Sequence, residues 1–186
     1  MTYLGQAAET ALRRSAYQEA IEHLNKGLAQ LPAIPDLPER NQQELALQIM
    51  LGAALTATKG YAAPEVEHAY ARARELCQQN GESPQLSIIL NGLSRFYVVR
   101  GEYQTAHEQA GELIKFASDQ GLLLWLAWAM STRGRELVRQ GVREEGITQI
   151  QQGLTDHRAI GSHIGRPYQP AHLQKHMANM GSLKKD

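Results

Sequence analysis

Apolar residues along this chain recur at helical spacing. Ala106, Ala110 and Leu113 fall on one helical stripe, as do Ile147, Ile150 and Leu154, and no comparable stretch alternates with the period of a half-buried strand. Glycines punctuate these stripes on a grid. Gly81, Gly101, Gly121, Gly141, Gly161 and Gly181 stand at a step of 20 residues, with Gly60 one residue off it. Glycine is the usual residue just past a helix C-terminus, where the chain turns left-handed and a Cβ would oppose it. The spacing therefore predicts helix, stop, helix, stop, with each helix about 15–18 residues long.

Start signals agree with the stops. Ser83 ahead of Pro84 reads as an N-cap followed by a proline whose missing N–H costs nothing in the first turn, and Pro64 can open the helix after Gly60. Pro32, Pro35 and Pro38 predict a loop over 32–38. The first helix of each pair is expected near 3–14, 39–58, 84–100 and 122–140. Their partners are expected near 17–31, 64–79, 103–119 and 143–159, and a trailing helix without a partner near 168–180.

The pairs share internal positions. A tyrosine after the turn recurs as Tyr17, Tyr61 and Tyr103, replaced by Arg143 in the fourth pair. Small or short residues recur at Ala8, Gly52, Ser94 and Gly134 in first helices and at Ala20, Val66, Ala106 and Gly146 in second helices, where they let antiparallel helices approach closely. This pattern resembles the tetratricopeptide repeat, and the first unit follows it best through Tyr17, Glu19, Ala20, Ile21, Leu24, Leu28 and Pro32. Later units run to about 40 residues, similar to a long-helix variant of bacterial regulators. A HEAT-like solenoid has a comparable period but lacks the Tyr17/Ala20 pattern.

Residues 42–79 (QQELALQIMLGAALTATKGYAAPEVEHAYARARELCQQ) and 122–154 (LLLWLAWAMSTRGRELVRQGVREEGITQIQQGL) resemble the repeat region of large bacterial multidomain regulators. In those proteins an adenylate/guanylate cyclase or DNA-binding module precedes a STAND-type ATPase, and the repeats follow. The resemblance implies an all-α, right-handed α-solenoid of about four pairs plus one trailing helix. It covers residues 1–168, including GRPY at Gly165–Tyr168, and leaves 169–186 as a capping helix or mobile tail. It implies a non-catalytic interaction or sensor module, expected to be a piece or truncated relative of a larger signalling protein. The chain contains neither a GxxxxGK[ST] phosphate loop nor a recognisable cyclase metal-binding segment, so chemistry of that kind is expected elsewhere.

Composition supports the helical reading. The chain has 186 residues, 42% of them hydrophobic, and only five are valine, which disfavours a β protein. Lys and Arg number 19 against 19 Asp and Glu, so the broad positive surface of a nucleic-acid binder is not expected and any charged site must be local. The longest charge-free apolar run, Leu122–Met130, is too short to span a bilayer, and charges at Glu9, Arg13, Arg14 and Glu19 interrupt any secretory signal. No membrane association and a cytoplasmic location are expected. The single cysteine, Cys77, reads as a small buried hydrophobe.

Three sets of residues suggest chemistry. His172 and His176 form HLQKH, an i, i+4 pair with metal-ligand spacing but without the adjacent Glu of HExxH; a metal-dependent enzyme using these C-terminal histidines, with His157 and His163 nearby, is the alternative to an interaction module. Expectation favours exposed histidines, no metal, no cofactor and no catalytic residue. Trp125 and Trp128, with Leu122, Leu123, Leu124 and Leu126, are expected to pack in the core. The third set is polar: at a 40-residue step Asn91 matches Ser131, and Arg95 matches Arg135 and Lys175, with Arg139 one turn beyond Arg135. No acid lies three or four residues from Arg95, Arg135 or Lys175. In a tetratricopeptide superhelix the first helices line the concave groove, so Asn91, Arg95, Ser131, Arg135, Arg139 and Lys175 are the candidate peptide-binding residues, and the expected partner is a protein or peptide, acidic in character.

Overall fold

The computed structural model describes residues 3–35, 37–79, 81 and 83–160. Eight α-helices follow one another: α1 (Tyr3–Arg13), α2 (Tyr17–Gln30), α3 (Leu37–Lys59), α4 (Pro64–Gln79), α5 (Gln85–Arg100), α6 (Tyr103–Asp119), α7 (Leu123–Arg139) and α8 (Arg143–Ala159). Among the described residues there is no strand, and a 3-10 turn at Leu31–Ala33 is the other helical element. The trailing helix expected near 168–180 lies outside the described residues.

The glycine grid works through backbone hydrogen bonds. Gly60, Gly81, Gly101, Gly121 and Gly141 all adopt φ between 65° and 91°. At three of them the following N–H reaches back five residues: Glu102 to the Tyr97 carbonyl, Leu122 to Ala117 and Val142 to Leu137, at 2.8–2.9 Å. Those bonds occupy carbonyls that the helix end leaves open, which is the Schellman termination. The first turn makes the same bond, Ala16 N–H to Ala11, with Ser15 at φ 58° in the glycine's place. A non-glycine residue there carries the strain that glycine avoids elsewhere.

Two start signals act differently from expectation. The proline-rich stretch does not keep 32–38 out of helix: α3 begins at Leu37, with Pro38 in its first turn, where a missing N–H is harmless. Ser83 does not cap α5, since its hydroxyl donates to Gln85 Oε1 (2.9 Å) and touches Cys77 Sγ, while its carbonyl accepts from Leu86 N–H. Cys77 is buried, as expected.

Packing runs from neighbour to neighbour. Each helix packs on the next, and in addition α1 touches α3, α3 touches α5 and α5 touches α7. Among the described residues no two even-numbered helices pack directly, although Arg74 of α4 reaches Gln109 (2.9 Å) and Glu112 of α6. Odd helices therefore lie closer together than even ones and form the inner side of the stack. This all-helical succession of packed pairs is consistent with an α-solenoid.

The small positions are the seams of the pairs. Ala8, Gly52, Ser94 and Gly134 are all buried, as are Ala20, Val66, Ala106 and Gly146. Ser94 Oγ donates to the Ala106 carbonyl (3.3 Å), and a Cβ on Gly134 would stand 2.5 Å from the Gly146 carbonyl oxygen. In the second pair the space is used by a ring: Cβ atoms on Gly52 or Gly92 would each fall within 2.9 Å of the Tyr70 ring. Tyr70 thus threads from α4 between α3 and α5, and this burial pushes its phenol up to about 12. The main core gathers around Leu24, Leu47, Ala54, Leu76, Ile89 and Leu90 in the first three pairs.

Candidate functional site

The inner faces of α5 and α7 bring Arg95, Arg135 and Arg139 into one electrostatic group. Arg95 projects from the second half of α5 between two aromatic rings, its guanidinium carbon 5.3 Å from the Tyr61 centroid and 5.5 Å from that of Trp128. Its Nη1 also donates to Tyr61 Oη at 2.6 Å. Tyr61 sits in the left-handed turn after α3, so the glycine stop at Gly60 positions one platform, and α7 supplies the other. A guanidinium flanked by ring faces is held by cation–π attraction while its N–H edges stay directed sideways.

Arg135 stands one repeat step further along. It is half-buried, and its Nη2 donates to Thr132 Oγ1 one turn back at 3.3 Å. Among the described residues no carboxylate lies within ion-pair distance of it. Burial, followed by the charge of Arg95, moves its pKa below the ordinary arginine range; Glu136 opposes this and Arg139 reinforces it. Arg95 and Arg139 are thus both near enough to disfavour its charge.

Arg139 ends α7 with its guanidinium carbon 5.6 Å from the Tyr103 ring centroid and Nη1 3.8 Å from Glu136 Oε1. Glu136 is 1% exposed and takes the place of buried Phe96 at the 40-residue step. Its Oε2 has no hydrogen-bond partner among the described residues. Desolvation raises its pKa, with Arg139 and Arg135 pulling the other way. A carboxylate held this way is a weak counter-ion, since the low-dielectric surroundings disfavour the charge that would neutralise the arginines.

Not every expected groove residue joins the cluster. Asn91, one turn before Arg95, is half-buried on the same helical side. Ser131 is removed from the set: its hydroxyl donates to the Ala127 carbonyl (3.0 Å), and it lies where a Cβ on Gly153 of α8 would meet it, so it belongs to the α7–α8 seam. Lys175 lies outside the described residues, as do His163, His172 and His176. Arg139 is not uncompensated, because Glu136 on the preceding turn faces it. Among the described residues no three His, Cys, Asp or Glu side chains gather as a metal site.

The apolar segment at the start of α7 also departs from expectation. Trp125 and Trp128 are half-buried and Leu123 is 60% exposed, so this is not a core helix sealed on all sides. Trp125 leans on the core and meets Trp128 edge-on at 5.9 Å. Trp128 turns to the arginine side, with His157 of α8 stacked at 6.4 Å. Tyr61, Tyr103 and Trp128 are therefore site residues that sequence reading assigned to repeat pattern or core. The recurrence of a tyrosine after successive turns was the available signal for the first two.

No helix among the described residues is long and apolar enough to cross a membrane. Comparison with protein-family models, with curated proteins and with solved structures gives no match.

Proposed function

We propose that this chain is a non-catalytic, cytoplasmic protein-interaction or sensor module, a right-handed α-solenoid of tetratricopeptide type related to the repeat regions of bacterial signalling regulators. Its inner face takes an acidic or carboxylate-bearing segment of a partner protein. The repeat type is supported by the small residues buried at matching places in all four pairs and by the packing of odd helices on one another, where among the described residues even helices meet only through long side chains such as Arg74. The binding reading rests on one observation, the half-buried Arg135 without an ion pair among the described residues, grouped with Arg95 and Arg139. A guanidinium kept in such surroundings gains from an anion that brings a carboxylate to its N–H edge.

The test is calorimetric titration with short peptides rich in Asp and Glu, compared with peptides of the same length carrying Asn and Gln. Arg95→Ala with Arg135→Ala should weaken acidic peptides by well over tenfold, since each charge-assisted bond contributes about 1.5–3 kcal/mol, or roughly one to two decades per contact. Affinity should also fall with added salt. Equal binding of acidic and neutral peptides, unaffected by the double substitution, would remove the groove reading.

A further inference from the structure

We infer that the cleft between α2 and α4, on the outer side of the stack, binds an uncharged, extended peptide segment with aliphatic side chains at alternate positions. It is lined by α2, α3 and α4, apart from the arginine group on α5 and α7, and does not depend on the inner face as a binding surface.

The cleft is open because nothing crosses it. The gap between α4 and α6 is bridged by Arg74, which reaches Gln109 and Glu112. Between α2 and α4 no hydrogen bond or ion pair among the described residues makes the same crossing, and the two helices do not pack on each other. Helix α3 is left as the base of a cavity of about 440 Å³, within the range of about 300–1,000 Å³ usual for ligand sites.

Its floor is aliphatic. Ile21 of α2, Leu51 and Leu55 of α3 and Ala69 of α4 line it, and each is at most 9% exposed. Its rim carries the amides of Gln18 and Asn25 on α2 and of Gln48 on α3. Gln18 and Asn25 are exposed and Gln48 is half-buried, and among the described residues none of the three side chains has a hydrogen-bond partner.

The charges nearby are already paired. Lys59 donates to Glu65 at one end of the cleft. One helical turn beyond Gln48 and Ala69, Arg72 holds Glu44 through two hydrogen bonds of 2.6 and 3.0 Å. A charged ligand would compete with these pairs, whereas each free amide offers a donor and an acceptor together. A peptide group needs both, one for its C=O and one for its N–H, when it leaves water. From Gln18 to Asn25 the rim runs about 10 Å along α2, the length of about three extended residues. In such a segment alternate side chains point to one side, so two of them enter the aliphatic floor. The lining holds no Phe, Tyr or Trp ring on which a nucleobase could stack.

The experiment follows the side-chain amide resonances of the isotope-labelled full chain by heteronuclear NMR. The probe is an end-capped pentapeptide alternating serine and leucine. At millimolar concentration it should move the Gln18, Asn25 and Gln48 resonances saturably. Alanine in place of both leucines should weaken it more than about tenfold, because most of the area meeting the floor is lost. Ester oxygens in place of the two leucine N–H groups should weaken it at least about fivefold. Aspartate in place of the serines should bring no gain. Asn25→Ala and Gln48→Met should each weaken the probe about threefold to tenfold. Asn25 is exposed, so its substitution leaves the fold intact, which circular dichroism checks. Gln151→Ala, at an exposed amide on α8, is the control and should stay within about twofold.

Equal binding of the ester and amide peptides would overturn recognition of the peptide backbone. Tighter binding of the aspartate peptide would overturn the uncharged ligand, and displacement of the probe by Asp- and Glu-rich peptides would move it to the inner face. Insensitivity to both Asn25→Ala and Gln48→Met, or the absence of any saturable shift, would overturn the cleft as a site while leaving the acidic-peptide test of the inner face unaffected.

Discussion

Glycine-to-alanine substitution should have opposite effects in two helices of this protein. Gly111 in α6 has no atom within 4 Å of where its Cβ would be, whereas a Cβ on Gly134 in α7 would stand 2.5 Å from the Gly146 carbonyl oxygen and 2.9 Å from the Ile150 amide nitrogen. Alanine favours an open helical position over glycine by about 1 kcal/mol, so Gly111→Ala should stabilise by up to that amount. The same propensity gain acts at Gly134, but two of the three obstructing atoms there are backbone, and no rotamer change relieves those. Helices α7 and α8 would have to separate by about 1 Å to restore ordinary contact, and such overpacking costs about 1–3 kcal/mol. Propensity cancels in the difference between the variants, which isolates that cost. For a chain of this size the gap should appear as about 2–12 °C between their thermal midpoints by circular dichroism. Gly134→Leu adds three carbons to the same contact and should lie at the upper end of the range. If Gly134→Ala is raised in midpoint as much as Gly111→Ala, the α7–α8 seam is not as close as described, and the register of the fourth pair is wrong.

Tyr70 and Tyr97 should titrate late. Burial raises both phenols to about 12, with Glu67 accepting from the Tyr97 hydroxyl (2.8 Å) as the second cause there. Because these folded values exceed the unfolded value near 10, the associated stability is complete below pH 10 and is lost as pH rises towards 12. Absorbance at 295 nm should show this late phase, reduced in Tyr70→Phe, while Tyr70→Ala should cost about 3–5 kcal/mol by emptying the slot between Gly52 and Gly92. Glu136→Gln should stabilise the protein increasingly as pH rises, since a carboxyl with a raised folded pKa loses stability when it ionises; a melting advantage that does not grow from pH 4 to pH 8 would contradict its burial. Arg74→Ala should cost no more than about 1 kcal/mol by urea denaturation, because its bridge to Glu112 is partly solvated on both sides.

Helix boundaries were legible in the sequence because they are set locally. A left-handed glycine followed by a residue whose N–H returns to the preceding turn ends a helix wherever it occurs, and this places the α5, α6 and α7 ends correctly. The small seam residues were legible for a related reason, since close antiparallel approach excludes long side chains at fixed positions in every pair. Tertiary packing decided the rest. Ser83 has the chemistry of a cap, but its hydroxyl lies beside Gln85 and Cys77. Ser131 matched Asn91 by repeat step, yet Gly153 opens a gap on α8 that draws it into the seam. The apolar run before Trp128 suggested core; whether such a helix is covered depends on the elements beside it, which periodicity alone does not specify.

The location of the arginine group follows from the same packing. In the third pair the core position at Phe96 is apolar, and the adjacent Arg95 leans away towards Tyr61 and across to Trp128. In the fourth pair that core position is Glu136, and Gly134, Gly146 and Gly153 draw α7 and α8 together so closely that little apolar side-chain volume remains between them. A seam made largely of backbone contacts fixes α7 well, because it has few rotamers with which to adjust. Arg135 and Arg139 therefore rise beside the seam, from a helix held along the adjacent face. Glu136, 3.8 Å from Arg139 Nη1 and disfavoured as a charge by its burial, offsets their repulsion only weakly, so an incoming anion would add charge-assisted bonds that this carboxylate does not supply.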